Sequence, residues 1–79
     1  MSQAQPNYDN YLRIFREEID EHLHWQEARD YYGVLTLESG WRRPSRTVFE
    51  EMDKLRVSGK IPSPRFERAL ADFYAMYAS

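Results

Sequence analysis

The chain has 79 residues, no cysteine and a net charge of −2. This length makes one small domain near the lower limit for folding on a hydrophobic core alone, and the lack of cysteine excludes disulfides, thiolate zinc sites and thiol nucleophiles. No stretch approaches the roughly 20 apolar residues of a membrane span, and the first residues lack the basic and apolar regions of a signal peptide. We therefore expect a cytoplasmic protein that does not insert into a membrane.

The charges are distributed unevenly along the chain. Residues 1–39 hold eight acids and three bases, whereas residues 40–79 hold five acids and eight bases. We therefore do not expect a uniformly basic nucleic-acid-binding surface, although the second half offers a local basic patch. Two Trp, six Tyr and four Phe supply both core and interface candidates.

The first helical pattern follows a short tail. Residues 1–6 are expected to be disordered, and Asn7 is a plausible N-cap. Apolar residues then recur at helical spacing up to Gly33, a residue typical of a helix C-terminus. This segment is either one long helix or two, with the interruption at residues 19–21 and Asp20 as the second N-cap.

Residues 34–43 are the hardest part of the chain to assign. Val34 to Leu37 form either a helical turn or a short extended segment, since so short an apolar run has no diagnostic periodicity. The next helix begins at Ser45 or at Thr47, which has a capping-box glutamate three residues later, and it ends near Gly59.

The last helix has the clearest start signal. Ser63 is a typical N-cap and Pro64 is preorganised for the first helical position. The sequence thus predicts an all-α fold of three to five helices over residues 7–79, with an irregular or short extended segment near 34–43. The predicted core consists of Phe15, Ile19, Leu23, Val48, Phe49, Met52, Leu55, Phe66, Leu70 and Phe73.

The segment from Thr36 to Ser45 (TLESGWRRPS) carries the most distinctive pattern. With the apolar positions that follow it up to Leu55, it resembles the end of the recognition helix and the next turn of lambda-repressor-like (Cro-type) helix-turn-helix domains. The resemblance implies that Leu37 packs inward, that Gly40 ends a helix and that Ser45 caps the next one. The inner face of that next helix would be formed by Val48, Met52 and Leu55.

The resemblance also implies a function, which is binding of DNA by a transcription-associated regulator. Arg42 and Arg43 would contact phosphates, with Arg46, Lys54 and Lys60 adding to the basic surface. Residues 30–36, where the family has its base-reading side chains, hold no Arg, Asn or Gln. A homodimer is a further hypothesis.

A second hypothesis is that the partner is a protein. The chain has the size and character of the acidic inhibitors and adaptors that phages and plasmids direct at a bacterial host protein such as RNA polymerase. An acidic helix with exposed aromatic anchors can dock on a basic groove. The candidate residues for this surface are Tyr8, Tyr11, Glu17, Glu18, Glu21, Trp25, Tyr31 and Tyr32.

Catalysis and cofactor binding have little support in the sequence. There is no phosphate-binding glycine loop, nucleophile elbow or recognisable catalytic constellation. His22 and His24 are two residues apart and point to different sides of a helix, and Glu18 with His22 supplies only two ligands, which do not complete a metal site. We expect a non-catalytic protein without metal or cofactor.

Overall fold

The computed structural model describes the backbone of residues 8–38 and 46–78, and the side chains of residues 9–35 and 46–76. These residues form four helices: α1 (Tyr8–His22), α2 (Trp25–Glu38), α3 (Arg46–Ser58) and α4 (Pro64–Ala78). Each helix packs against the next along the chain, and α1 also packs against α4, which closes the bundle. The all-α prediction is confirmed, and none of the four helices is both long and apolar enough to cross a membrane.

One hydrophobic cluster receives residues from all four helices. Eight of the ten predicted core residues are buried, while Leu23 and Phe49 are only partly buried at its edge. The prediction omitted five residues that the structure buries, which are Leu12, Ala28, Leu35, Ile61 and Ala69. Three aromatic rings occupy the centre, where Phe15 meets Phe66 and Phe73 edge-on at centroid distances of 5.7 and 5.5 Å.

The boundary between α1 and α2 differs from the prediction. The chain turns at Leu23 and His24, not at residues 19–21. Ile19 is fully buried, and Asp20 caps no helix because its carboxylate accepts a hydrogen bond from Tyr32 instead. Residues 8–33 thus contain two helices, with the break three residues later than expected.

Helix α2 does not end at Gly33. It continues to Glu38, so residues 34–38 are helical rather than extended. Gly33 is exposed and has open space around it, whereas Leu35 is buried, so continuing the helix carries an apolar side chain into the core. Residues 39–45, which include the predicted turn at Gly40 and the candidate cap Ser45, lie outside the described residues, as do the predicted tail and Asn7.

The second half follows the sequence signals closely. Helix α3 begins at Arg46, which places Thr47 within its first turn, and its inner face is formed as expected by Val48, Met52 and Leu55. Gly59 follows the helix with a φ of 77°, a left-handed conformation that favours glycine. Ser63 caps α4 as predicted, because its Oγ accepts a hydrogen bond from the Phe66 N–H at 3.2 Å.

Candidate functional site

The tight turn between α1 and α2 is built around His24. Its carbonyl oxygen accepts hydrogen bonds from the N–H groups of Glu27 and Ala28, and its Nδ1 accepts one from the Gln26 N–H at 3.3 Å. These bonds satisfy N–H groups that have no partner inside the helix. His24 therefore acts as the N-cap of α2 and fixes the direction in which the helix leaves the turn.

Trp25, the first residue of α2, is the most exposed aromatic residue in the described part of the chain. Its side chain is 60% exposed. The guanidinium carbon of Arg29 lies 5.4 Å from the centroid of the indole ring, within the range of a cation–π contact, and the His24 ring lies 6.0 Å away. The indole is thus held by its neighbours while much of its surface stays in solvent.

Glu17 and Glu18 join α1 to α4 through Arg65. The guanidinium donates hydrogen bonds to Glu18 at 2.9 Å and to Glu17 at 2.7 Å. Although burial raises the pKa of Glu18, hydrogen bonds from Ser63 and Arg65 outweigh this effect and lower the pKa below its ordinary value. The hydrogen bond from Arg65 likewise lowers the pKa of Glu17. Both carboxylates are therefore engaged in joining α1 to α4.

The acidic run in α1, residues 17–21, therefore differs from the solvated binding face that the sequence predicted. Glu18 is only 5% exposed, so it lies beneath the surface instead of on the solvated face on which it was predicted. Glu17 is exposed but bound to Arg13 and Arg65. Of the three glutamates proposed for protein binding, Glu21 alone is exposed with no ion pair among the described residues.

The tyrosines proposed as binding anchors lie mostly within the structure. Tyr11, Tyr31 and Tyr32 are partly buried against the core, and the Tyr11 ring meets Phe73 edge-on at 6.5 Å. The Tyr32 hydroxyl donates to Asp20, and this hydrogen bond raises the pKa of Tyr32. The side chain of Tyr8 lies outside the described residues.

Arg16 completes this tyrosine contact between α1 and α2. Its guanidinium carbon lies 4.4 Å from the centroid of the Tyr32 ring. Tyr32 therefore joins the two helices through its hydroxyl and its ring together. Among the described side chains predicted for protein binding, Trp25 is exposed, and Glu21 is exposed without an ion pair to another described residue.

Each described basic residue proposed for DNA binding forms an ion pair with an acidic side chain. Arg46 donates to Glu50 at 2.9 Å and Lys54 to Glu51 at 3.3 Å, both within α3. Lys60 donates to Glu27 of α2, which raises the pKa of the lysine. Arg42 and Arg43 belong to the segment outside the described residues.

Two other features could hold a small ligand or an ion. The ligand atoms of Glu18, Glu21 and His22 lie within 4.8 Å of one another, which adds Glu21 to the pair considered from the sequence. The Glu18 carboxylate already accepts hydrogen bonds from Arg65 and Ser63, and we assign no metal to this cluster.

The second feature is a groove of about 400 Å³ between α1 and α2. Its floor contains Leu12 and Leu35, which are 6% and 4% exposed and so offer a ligand little apolar surface. Its charged rim is formed by Asp9, Arg13, Arg16, Glu17 and Asp20.

Three residues that form the contacts described above were not predicted from the sequence. Arg65 follows a strong helix start signal, but nothing local indicates that it reaches Glu17 and Glu18, which lie more than 45 positions earlier in the chain. Arg29 lies four positions after Trp25, and that spacing was an available signal for their contact. His24 gave no signal, because histidine is not among the common N-cap residues.

Comparisons with known proteins give no relative for this chain. No protein-family model matches it, and neither a curated protein nor a solved structure is similar to it.

Proposed function

We propose that the protein is a small, non-catalytic regulatory module that binds another protein through the surface around Trp25. This Trp25 surface consists of His24, Trp25 and Arg29, with Glu21 and Asp30 beside them along the chain. The observation that carries the proposal is the 60% exposure of an indole ring that Arg29 and His24 hold in place.

The indole has the properties of a binding anchor. Tryptophan is enriched among the residues that dominate interface energies, because one side chain buries a large area on binding. Single exposed apolar residues are common on protein surfaces, and Val57, at 69% exposure, is one. Trp25 differs from Val57 because its ring contacts a cation and a second ring, which reduces the side-chain ordering that binding requires.

The charges beside Trp25 favour a basic partner surface. Glu21 and Asp30 are exposed and form no ion pair among the described residues, and residues 8–38 hold eight acids and three bases. Opposite charge on the partner would speed the encounter and fix its orientation. An exposed indole with unpaired acids before and after it in the chain therefore fits a basic groove on a protein, such as those on a bacterial host enzyme that binds nucleic acid.

The proposal is tested by binding of the full chain to purified bacterial RNA polymerase and by capture from a bacterial lysate. Trp25→Ala and Glu21→Lys should each reduce retrieval of the same partner, and binding should weaken as salt increases. Val57→Ala is the control, because it truncates another exposed apolar side chain, 69% against 60% exposed, on a different helix. Equal retrieval by Trp25→Ala and by the parent would overturn the proposal.

DNA binding is a second candidate, supported by a different observation. The buried inner face of α3 is the one that the helix-turn-helix resemblance implies, and Arg46, at the start of α3, has a side chain that is 75% exposed. Together with Arg42 and Arg43 it would contact phosphates. The ion pairs of Arg46, Lys54 and Lys60 with acids make this candidate the weaker of the two.

The two candidates give different results in a titration with mixed-sequence duplex DNA at low salt. A DNA-binding protein should bind below about 100 μM and lose affinity steeply with salt, in proportion to its phosphate contacts. The Arg42→Ala/Arg43→Ala double variant should then bind less tightly. No binding at that concentration removes the DNA candidate, and it leaves the protein-binding proposal to the capture experiment.

A further inference from the structure

Helix α4 presents an outward face whose charged residues have no partner within the described chain. Arg68 and Asp72 are exposed, and neither forms an ion pair with another described residue. Glu67, on the other edge of the same face, is likewise exposed and without an ion pair there. Most charged residues of α1 and α3, by contrast, are paired within the chain.

This face also carries an exposed aromatic side chain. Tyr74 is 49% exposed, and its ring lies 5.0 Å from that of the partly buried Phe49 on α3. Successive residues of a helix are turned by about 100°, so Arg68, Ala71 and Tyr74 lie within roughly one third of its circumference. Ala71 is at the middle of this sector, and it is exposed.

The order of charges along α4 matches a second copy of the same helix running in the opposite direction. In an antiparallel pair centred between residues 70 and 71, Glu67 of one copy lies level with Tyr74 of the other. Arg68 lies within one residue, or about 1.5 Å along the axis, of Asp72 on the other copy. A two-fold axis forms each of these contacts twice, as in the self-complementary interfaces of symmetric dimers.

The same charges disfavour the alternative arrangements. A parallel pair in register would place Arg68 beside Arg68 and Asp72 beside Asp72, and like charges in contact are unfavourable. Within one chain, Arg68 and Asp72 are four positions apart with the base first, which is the weaker order for a helical ion pair. From this self-complementary pattern we infer that α4 is the interface of a homodimer, with two Arg68–Asp72 ion pairs across the two-fold axis.

Sedimentation equilibrium of the full chain between about 5 and 500 μM tests this inference, because a homodimer dissociates on dilution. The parent should change from monomer to dimer within this range. Ala71→Arg places two cations near the axis and should raise the dissociation constant at least about tenfold. Circular dichroism should show that this variant stays folded, since Ala71 is exposed.

A charge exchange tests the ion pair itself. Arg68→Asp and Asp72→Arg should each weaken the dimer, and the double variant Arg68→Asp/Asp72→Arg should restore it. Asp30→Arg on α2 is the control for Asp72→Arg, because it makes the same change of net charge on another helix and should leave the dimer intact. A parent that stays monomeric throughout, a dimer that tolerates Ala71→Arg, or a double variant that remains weak would each overturn the inference.

Discussion

Glu18→Gln is the substitution that most directly tests the junction between α1 and α4. The Glu18 carboxylate is 5% exposed, accepts a hydrogen bond from Arg65 at 2.9 Å and another from Ser63, and lies 3.5 Å from His22 Nε2. Glutamine has nearly the same shape but no charge, so the change removes the electrostatic part of these contacts. Glu21→Gln is the control, because it makes the same chemical change at an exposed position of the same helix.

The expected loss of stability follows from the contacts. A hydrogen bond to a charged group contributes about 1.5–3 kcal/mol. The amide introduced by Glu18→Gln keeps one acceptor oxygen, so we expect a net loss of about 2 kcal/mol in the free energy of unfolding. For a domain of this size that lowers the Tm by about 8–16 °C. Glu21→Gln should change stability by no more than about 0.5 kcal/mol.

The loss should depend on pH in a defined direction. The pKa of Glu18 is lower in the folded than in the unfolded chain, so its contribution is complete above the unfolded value of about 4.3. The contribution disappears as the pH falls through the folded pKa. The difference between parent and Glu18→Gln in urea unfolding, followed by circular dichroism, should therefore be largest near pH 7 and decrease as the pH falls below about 4.3. Equal stability of the two glutamine variants at pH 7, or a difference that persists unchanged in acid, would refute this account of the junction.

Two further predictions concern the core and the two described glycines. Phe73→Ala removes a fully buried ring and should cost about 3–5 kcal/mol, which leaves the domain largely unfolded, whereas Val57→Ala at an exposed position should cost little. Gly33→Ala should stabilise the protein by about 0.5–1 kcal/mol, because it introduces a better helix former where open space surrounds the glycine. Gly59→Ala should destabilise it by about 1–2 kcal/mol, since its φ of 77° is unfavourable for alanine. The stability of all four variants can be measured by thermal and urea unfolding. If Gly33→Ala does not stabilise the protein, or Gly59→Ala does not destabilise it, the backbone conformation assigned to that glycine is wrong.

The second half of the fold was predictable because its boundaries are marked by residues with strict backbone preferences. Gly59 adopts a conformation that few other residues tolerate, and Pro64 after Ser63 combines a fixed φ with a capping hydroxyl. Before Gly59, the inner face of α3 is a simple helical repeat of apolar residues. Local chemistry and tertiary packing agree in this region, so the sequence alone was sufficient to place these helix boundaries.

The first half was not predictable to the same extent, because tertiary contacts override its local signals. Gly33 is typical of a helix end, yet burial of Leu35 beyond it favours continuing the helix. His24 is an uncommon cap, and the more typical Asp20 is occupied by Tyr32. Neither the burial of Leu35 nor the hydrogen bond between Tyr32 and Asp20 can be recognised from a short stretch of sequence.

The position of Glu18 illustrates a signal that was present but was outweighed. Glu18 lies three residues after Phe15 and seven after Tyr11, both of which contact the core, so it is at the edge of the apolar face. A run of neighbouring acids nevertheless suggested a solvated surface. A buried Glu18 could be distinguished from a solvated one only by knowing that a cation from another helix reaches it. That cation is Arg65, which lies 47 positions away in the chain.

The internal use of charge determines where a binding surface can lie. Arg65 neutralises Glu17 and Glu18, and Lys60 pairs with Glu27, so much of the negative charge of the first half is engaged in holding the helices together. A charge reversal at Glu17 and Glu18 would consequently weaken the junction between α1 and α4 and report on folding. Glu21 and Asp30 are exposed acids without an ion pair in the described chain, and they come before and after the turn that presents Trp25. A basic partner would therefore be attracted to that end of the bundle, where the exposed indole is available to bind it.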